Sequence, residues 1–236
     1  MAKPTLLLAL DTSSPTVSVA LGGGGRLLAR REVALERSSR HVLALVEEMM
    51  SEAGFRPRDL TGVAALRGPG SFTGLRIGLS TALGLHQALG IPAIALSTLR
   101  VLALSAVAGD EPPQIGPSRG AIVTAVDALR GEWMAQAFTA APFPHALGEP
   151  ALVSTEGLAT LAPKKTLRLV GHGLAAVAEA AGWSVPVTEP GALAPIALRL
   201  AALIPRGVWD AEALTQPLYA RPPAVTPPKP RPDPAP

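Results

Sequence analysis

The chain has no cysteine among its 236 residues. That excludes a disulfide framework, a thiolate nucleophile and any zinc or iron–sulfur site held by sulfur. Aromatic residues make up only 3%, so the core must be built from Ala, Leu and Val, and stacking platforms for single-stranded nucleic acid are scarce. There is no run of basic residues either. The formal charge is +3, and all of it arises before residue 121, where twelve basic residues stand against nine acidic ones. Any contact with RNA is therefore expected to be shared with a partner. No uninterrupted apolar stretch is long enough to span a bilayer. The apolar run 5–10, which Asp11 ends, is too short for a signal-peptide core and has no small-residue cleavage pattern after it. A soluble, cytoplasmic protein without membrane association is expected.

What is present points to a folded α/β chain. Hydrophobic residues reach 48% against 17% charged, enough to bury a sizeable core in one large domain or two lobes. Residues 6–10, 16–21 and 26–35 read as a strand meander joined by tight turns. A helix over 41–53 follows, capped by Ser38 or Ser39, with Val42, Leu45, Val46, Met49 and Met50 on one face. A buried strand over 62–66, a helix from Thr73 to Leu89, a strand over 93–96 and a helix over 98–108 complete a first unit, residues 1–108. Residues 109–120, with three prolines and two acids, read as a hinge. Residues 121–220 read as a reduced copy of the first unit: strands over 122–126 and 133–138, then strand–helix–strand–helix segments within 152–181 and a helix over 195–203. From Arg221 onward half the residues are proline, as in an extended, mobile tail, 221–236.

The glycine-rich junction between the 62–66 strand and the following helix is the most informative stretch. Gly68, Gly70 and Gly74 allow a sharp turn, and Ser71 or Thr73 can cap the helix. Such a junction gathers backbone N–H groups at one spot and can hold an anion or a close protein partner. It is no P-loop, because Leu75 and Arg76 follow Gly74 where Lys and Ser or Thr are required. A dinucleotide site would want an acid about 20 residues on, yet no Asp or Glu occurs between Asp59 and Asp110. The bland alternative is a tight strand-to-helix turn. Gly74, Gly78 and Ala82, with Thr81 and Leu85 beside them, form a smooth stripe. Each helical glycine costs about 1 kcal/mol relative to Ala, so close approach of another helix is expected, inside the fold or across a subunit boundary. The face carrying His41, Leu45 and Met49 could join the same interface.

Other chemistry is sparse. Asp11, Thr12, Ser13 and Ser14 follow the first strand in a turn and resemble the first phosphate loop of the superfamily of actin, sugar kinases and heat-shock chaperones. In that reading Asp11, Thr12, Ser13, Gly70, Ser71, Thr73 and Arg76 are the candidate anion or nucleotide contacts. His41, His86, His145 and His172 form no His-x-x-x-His or His-Glu-x-x-His pair, and no Gly-x-Ser-x-Gly elbow is present. No catalytic or metal-binding residue is assigned. Asp127 and Glu132 flank a hairpin, as solvated carboxylates usually do.

Four segments together are distinctive: Leu8 to Ser13, Arg67 to Gly78, Asp127 to Glu132, and Pro217 to Arg221. They resemble the bacterial tRNA threonylcarbamoyladenosine biosynthesis proteins of the TsaB family, also called YeaZ, over nearly the whole chain up to the proline tail. The resemblance implies a two-lobed α/β fold of the actin, Hsp70 and sugar-kinase type (ribonuclease H-like), with a reduced second lobe. It implies a non-catalytic subunit that binds TsaD as a heterodimer and acts with the ATPase TsaE. Threonylcarbamoyl transfer to adenosine 37 of tRNA is then supported only indirectly, through the complex. A homodimer is open when TsaD is absent. No cofactor is expected on this chain alone, with ATP or ADP left open at the level of the complex. The paired metal histidines of TsaD fall on Thr98 and Leu102 here, and neither a hydroxyl nor a leucine replaces imidazole on a transition metal. The resemblance places the partner contact on the helices 41–53 and 73–89, so a bulky residue at Gly78 is expected to weaken the complex and spare the monomer. The alternatives are a small-molecule kinase of the same superfamily and a glycoprotein peptidase.

Overall fold

Strand β1 (Leu7–Asp11) is buried on both faces, which is why its sequence is apolar without alternation. It pairs antiparallel with β2 (Thr16–Gly23) and parallel with β4 (Gly62–Leu66). The edge strand β3 (Arg26–Ala34) alternates between exposed and half-buried residues, as a one-sided strand should. With β5 (Ala93–Leu96) the sheet runs β3-β2-β1-β4-β5. The structure, a computed structural model, describes residues 5–24, 26–34, 42–107, 120–141, 143–161 and 166–221. His41, the Ser38 or Ser39 cap, the hinge as far as residue 119 and the tail from 222 lie outside the described residues.

The second sheet repeats the first. Strands β6 (Ala121–Asp127), β7 (Glu132–Thr139) and β8 (Ala151–Ser154) form the meander, and β9 (Thr166–Val170) and β10 (Val187–Thr188) add in parallel on the other side of β6. Read outward from its meander edge, the order is β8-β7-β6-β9-β10. The helices also correspond. In the first unit they are α1 (Val42–Glu52), α2 (Phe72–Leu89) and α3 (Thr98–Val107). In the second they are α4 (Thr155–Leu161), α5 (Leu174–Ala181) and α6 (Ala194–Leu203). This doubled β-β-β-α-β-α-β-α plan gives an α/β fold of two lobes with one topology. The reduction of the second lobe lies in two shorter helices: α4 has 7 residues where α1 has 11, and α5 has 8 where α2 has 18.

Three cores stack through the molecule. Leu8, Leu10, Val19 and Val63 on one face of the first sheet meet Val46, Met49 and Met50 of α1 and Leu79 and Ala82 of α2. Leu7, Ala9 and Leu66 on its other face meet Leu99 and Leu102 of α3 and Ala197 and Leu198 of α6, which also cover Ile122, Phe138 and Val170 of the second sheet. Val123, Trp133 and Leu169 close the far side with Leu158 of α4 and Leu174 of α5. The division at residues 108 and 121 therefore does not follow the packing. Helix α3 packs on β6, β7 and β9, and α6 packs on β1 and β2. The last helix of each unit lies between the two sheets, because each sheet exposes an apolar inner face that the other unit's helix helps to bury.

Candidate functional site: a crevice closed by its own chain

The four distinctive segments converge where β1, β4 and β5 end. Asp11 is fully buried. Its Oδ1 accepts hydrogen bonds from Ser13 N at 2.9 Å, Ser13 Oγ at 3.1 Å and Ser14 N at 3.2 Å, an Asx-type turn that the short polar residues make available. Burial pushes the Asp11 carboxyl above the ordinary carboxylate range, against hydrogen bonds from Ser14 and Ser13 that draw it down. Thr12 donates its hydroxyl to the Gly74 carbonyl at 2.6 Å, and Ser71 N donates to the Ser13 carbonyl at 2.9 Å. Ser71 caps α2 by accepting from Gly74 N at 3.2 Å.

The glycines let these two loops interlock. A Cβ on Gly70 would stand 2.7 Å from Ser13 Cβ, one on Gly74 would overlap the Thr12 carbonyl oxygen, and one on Gly78 would overlap Thr12 Oγ1. This corrects the interface reading of the stripe. Gly74, Gly78 and Ala82 are buried inside the monomer, against the Thr12 turn and the first-sheet core, and cannot touch a partner. Met49 is likewise wholly core. A bulky residue at Gly78 would strike Thr12 before it could affect any complex. The pattern announced a close approach; what approaches is a turn, not a helix.

A strap from the chain's later part covers the junction. Leu218 N donates to the Arg67 carbonyl at 2.6 Å, and the Leu218 carbonyl sits over Gly68, whose φ of +106° and lack of a side chain both suit glycine alone. The Tyr219 ring lies 4.7 Å from that of Phe72, Arg76 stacks on Phe72 at 4.2 Å, and Arg76 Nε donates to Tyr219 Oη at 3.2 Å. Arg221 pairs with Glu132 and donates to the Leu129 carbonyl at 3.3 Å. Arg221, read as the first residue of a tail, is thus an anchor between the lobes, and Glu132 is an ion-pair partner and not merely solvated. Asp127 holds its hairpin by accepting from Leu129 N at 2.7 Å.

The predicted contacts divide accordingly. Asp11, Thr12, Ser13, Gly70 and Ser71 come together: Ser13 bonds Asp11 and Ser71, Thr12 bonds Gly74, and Gly70 lies against Ser13. Thr73 is exposed on the first turn of α2, and Arg76 is held by Phe72 and Tyr219. Leu45, Thr81 and Leu85 are half-buried. Sequence reasoning missed His172. It follows β9 as Gly68 follows β4, and it feels the charges of Asp11 and Glu189, yet burial holds it below its ordinary value. The doubled topology was the signal that could have placed it there. Buried polar atoms without a protein partner gather around this junction: Asp11 Oδ2, Arg67 Nε, Thr98 Oγ1, His172 Nε2 and Arg221 Nε. Such groups are ordinarily met by water or a bound polar group. Among the described residues no three His, Asp or Glu side chains assemble as a metal site, and no helix is long and apolar enough to cross a membrane.

The family described as TsaD, tRNA N6-adenosine threonylcarbamoyltransferase, matches residues 31–163. The tRNA threonylcarbamoyladenosine biosynthesis protein TsaB of Escherichia coli is 35% identical over 126 residues, which cover 53% of this chain and 52% of that protein. TsaB of Bacillus subtilis is 35% identical over 98 residues, covering 41% and 43%. The chain thus spans about half the length of the curated relatives it matches. YeaZ from Pseudomonas aeruginosa superposes with a TM-score of 0.72 at 29% identity, over 91% of this chain and 99% of that one. The chain belongs to the tRNA N6-adenosine threonylcarbamoyltransferase (TsaD) family, in its TsaB/YeaZ branch.

Proposed function

We propose that this chain is the non-catalytic, accessory subunit of a complex that forms N6-threonylcarbamoyladenosine at position 37 of tRNA, and that it binds and supports the catalytic subunit TsaD, with TsaE as a further member. One observation carries the non-catalytic reading: the loops that would cradle a phosphate are zipped to each other. Ser13 N and Ser14 N are spent on Asp11, Ser71 N on Ser13 and the Thr12 hydroxyl on Gly74, while Leu218 covers Gly68. Thr98 and Leu102, which stand where the resemblance puts the metal histidines, are both buried. The same closure argues against a kinase. The chain carries no cofactor by itself in this reading; ATP or ADP enters at the level of the complex, and tRNA is reached through the assembly in the cytoplasm.

Docking through α1 and α2 stays within the proposal, on a revised surface. Leu43 of α1 is 58% exposed, Ser80 of α2 is exposed, and Leu45, Thr81 and Leu85 are half-open. Two helices side by side with an exposed leucine suit an interface core. The test is reconstitution of tRNA modification from purified components with and without this chain, beside co-purification with TsaD. Loss of modification on omission is expected. Unchanged modification without it, or turnover by the chain alone, overturns the proposal. Leu43→Asp with Ser80→Arg should abolish co-purification while the monomer's melting temperature stays put.

A further inference from the structure

A second region has the opposite character to the closed crevice. A cleft of about 900 Å³ runs along the flank of α6, between that helix and the β2–β3 hairpin. Its floor is aliphatic, from Leu7 and Leu198, and Arg26 and Arg30 of β3 and Arg199 of α6 line it. All three arginines are exposed. Among the described residues Arg26 and Arg199 have no ion-pair partner, and Arg30 commits only its Nε, to Glu32 at 3.4 Å.

The one acid among the described residues that line the cleft, Glu189, forms no ion pair with these arginines. Its two carboxylate oxygens accept from Gly173 N at 3.0 Å and Ala175 N at 2.9 Å. Its charge is directed at the start of α5, where backbone donors are unmet. The arginines are also spread out. A bulge in β3 leaves Arg26 and Arg30 opposite Gly23 and Ala20 of β2, about 10 Å apart along the strand, and Arg199 lines the cleft from a different element. One phosphate group cannot engage charges so separated; a polymer with charges repeating along its length can. Among the described residues no aromatic side chain lines the cleft, so stacking of bases is not on offer. What it can grip is sugar and phosphate.

We propose that this cleft takes the sugar–phosphate backbone of an RNA strand, with Arg26, Arg30 and Arg199 meeting successive phosphates. The inference rests on the reading of this chain as part of a tRNA-modifying assembly, and it gives that assembly a direct contact with RNA where the sequence suggested only an indirect one. The contact is blind to base identity and strongly salt-dependent.

The test is fluorescence-anisotropy titration of an unmodified tRNA transcript across a range of salt concentrations, with the TsaD complex and with the full-length chain alone. For Arg26→Ala/Arg199→Ala we expect the slope of log affinity against log salt to fall by roughly 1.4–1.8, since two phosphates are no longer neutralised, with melting temperature and co-purification unchanged. Arg26→Lys/Arg199→Lys should keep most of the slope, since lysine still meets phosphate as a point charge. Arg56→Glu, which does not line the cleft, should change neither affinity nor slope by as much. An unaltered slope in the alanine variant overturns the proposal. So does binding of inorganic phosphate or AMP with the same arginine dependence and no tighter binding of tRNA, which would mark a site for a small anion. Failure to assemble with TsaD counts against the function proposed above, and the arginine dependence is then read from the chain alone.

Discussion

The two lobes share one topology and treat the same turn in opposite ways. After β1, the turn from Asp11 to Ser14 is buried, with relative exposures of 0% to 6%. After β6, the turn from Asp127 to Gly131 buries only Ala128, with Leu129 69% exposed and Leu129, Arg130 and Gly131 all at positive φ. The difference traces to the helix that follows the parallel neighbouring strand, β4 in the first lobe and β9 in the second. In the first lobe α2 is long, and Gly70 just before it with Gly74 and Gly78 in its first turns let Thr12 and Ser13 sink against it. In the second lobe α5 begins behind Gly171, which presses on the Ala125 carbonyl within β6 and not on the turn. A turn absorbed into the core becomes structure. A turn left outside remains available, here for the Arg221 strap.

Variants can break that contrast. The largest effect is expected at Gly74→Val, whose side chain would meet Thr12 backbone; we expect a loss of about 3 kcal/mol or more in urea unfolding. Retained stability would mean that the first turn can lift away as the second does. Thr12→Val removes the buried 2.6 Å bond to Gly74 and should cost about 1–2 kcal/mol by the same measurement. Arg221→Ala should cost less, under about 1 kcal/mol, because its pair with Glu132 is part-exposed. Its signature is local: faster amide exchange at Leu218, with the exchange of β1 unaltered. Smallest and opposite in sign, Gly84→Ala lies on the exposed face of α2 with nothing near its Cβ and should stabilise by about 0.5–1 kcal/mol.

A pH measurement sharpens the comparison across the crevice. Burial depresses the His172 imidazole below its ordinary value of 6.5, and the charges of Asp11 and Glu189 only partly offset this. The unfolded chain therefore takes up the proton first as pH falls. The contribution of His172 is full above 6.5 and is lost as pH drops through the depressed value. Asp11 acts in the other sense: its raised carboxyl favours the folded state when protonated, and that advantage fades as pH rises above 3.8 through the raised value. His172→Gln should flatten the stability loss as pH falls below 6.5 through the depressed value. An unchanged profile would remove His172 from the crevice's energetics.

Much of the fold was legible because apolar runs and their breakers are local. The buried strand at 62–66, the start of α2 behind Ser71 and its end at Gly90, in the left-handed conformation with φ of 63°, all follow from side-chain type and spacing. The site was half legible. The glycine junction and the Asp11 turn each stood out, but nothing local said that they meet across some 60 residues of chain, as the Thr12–Gly74 bond shows. The small-residue stripe shows why: spacing reports that something must come close, and is silent on what. His172 escaped for the same reason, since a lone histidine in a glycine turn looks the same whether or not a buried aspartate faces it.

The sequence by itself determined the elements, their order and the places where the backbone needs glycine, because those depend on neighbours a few residues apart. Only the tertiary structure decided that α3 and α6 change sides, that the 217–221 segment straps the junction, and that the smooth face of α2 is spent inside the monomer. Each of those depends on which apolar faces and unmet hydrogen-bonding groups the other lobe presents, and that is settled when the two sheets bury each other's inner faces.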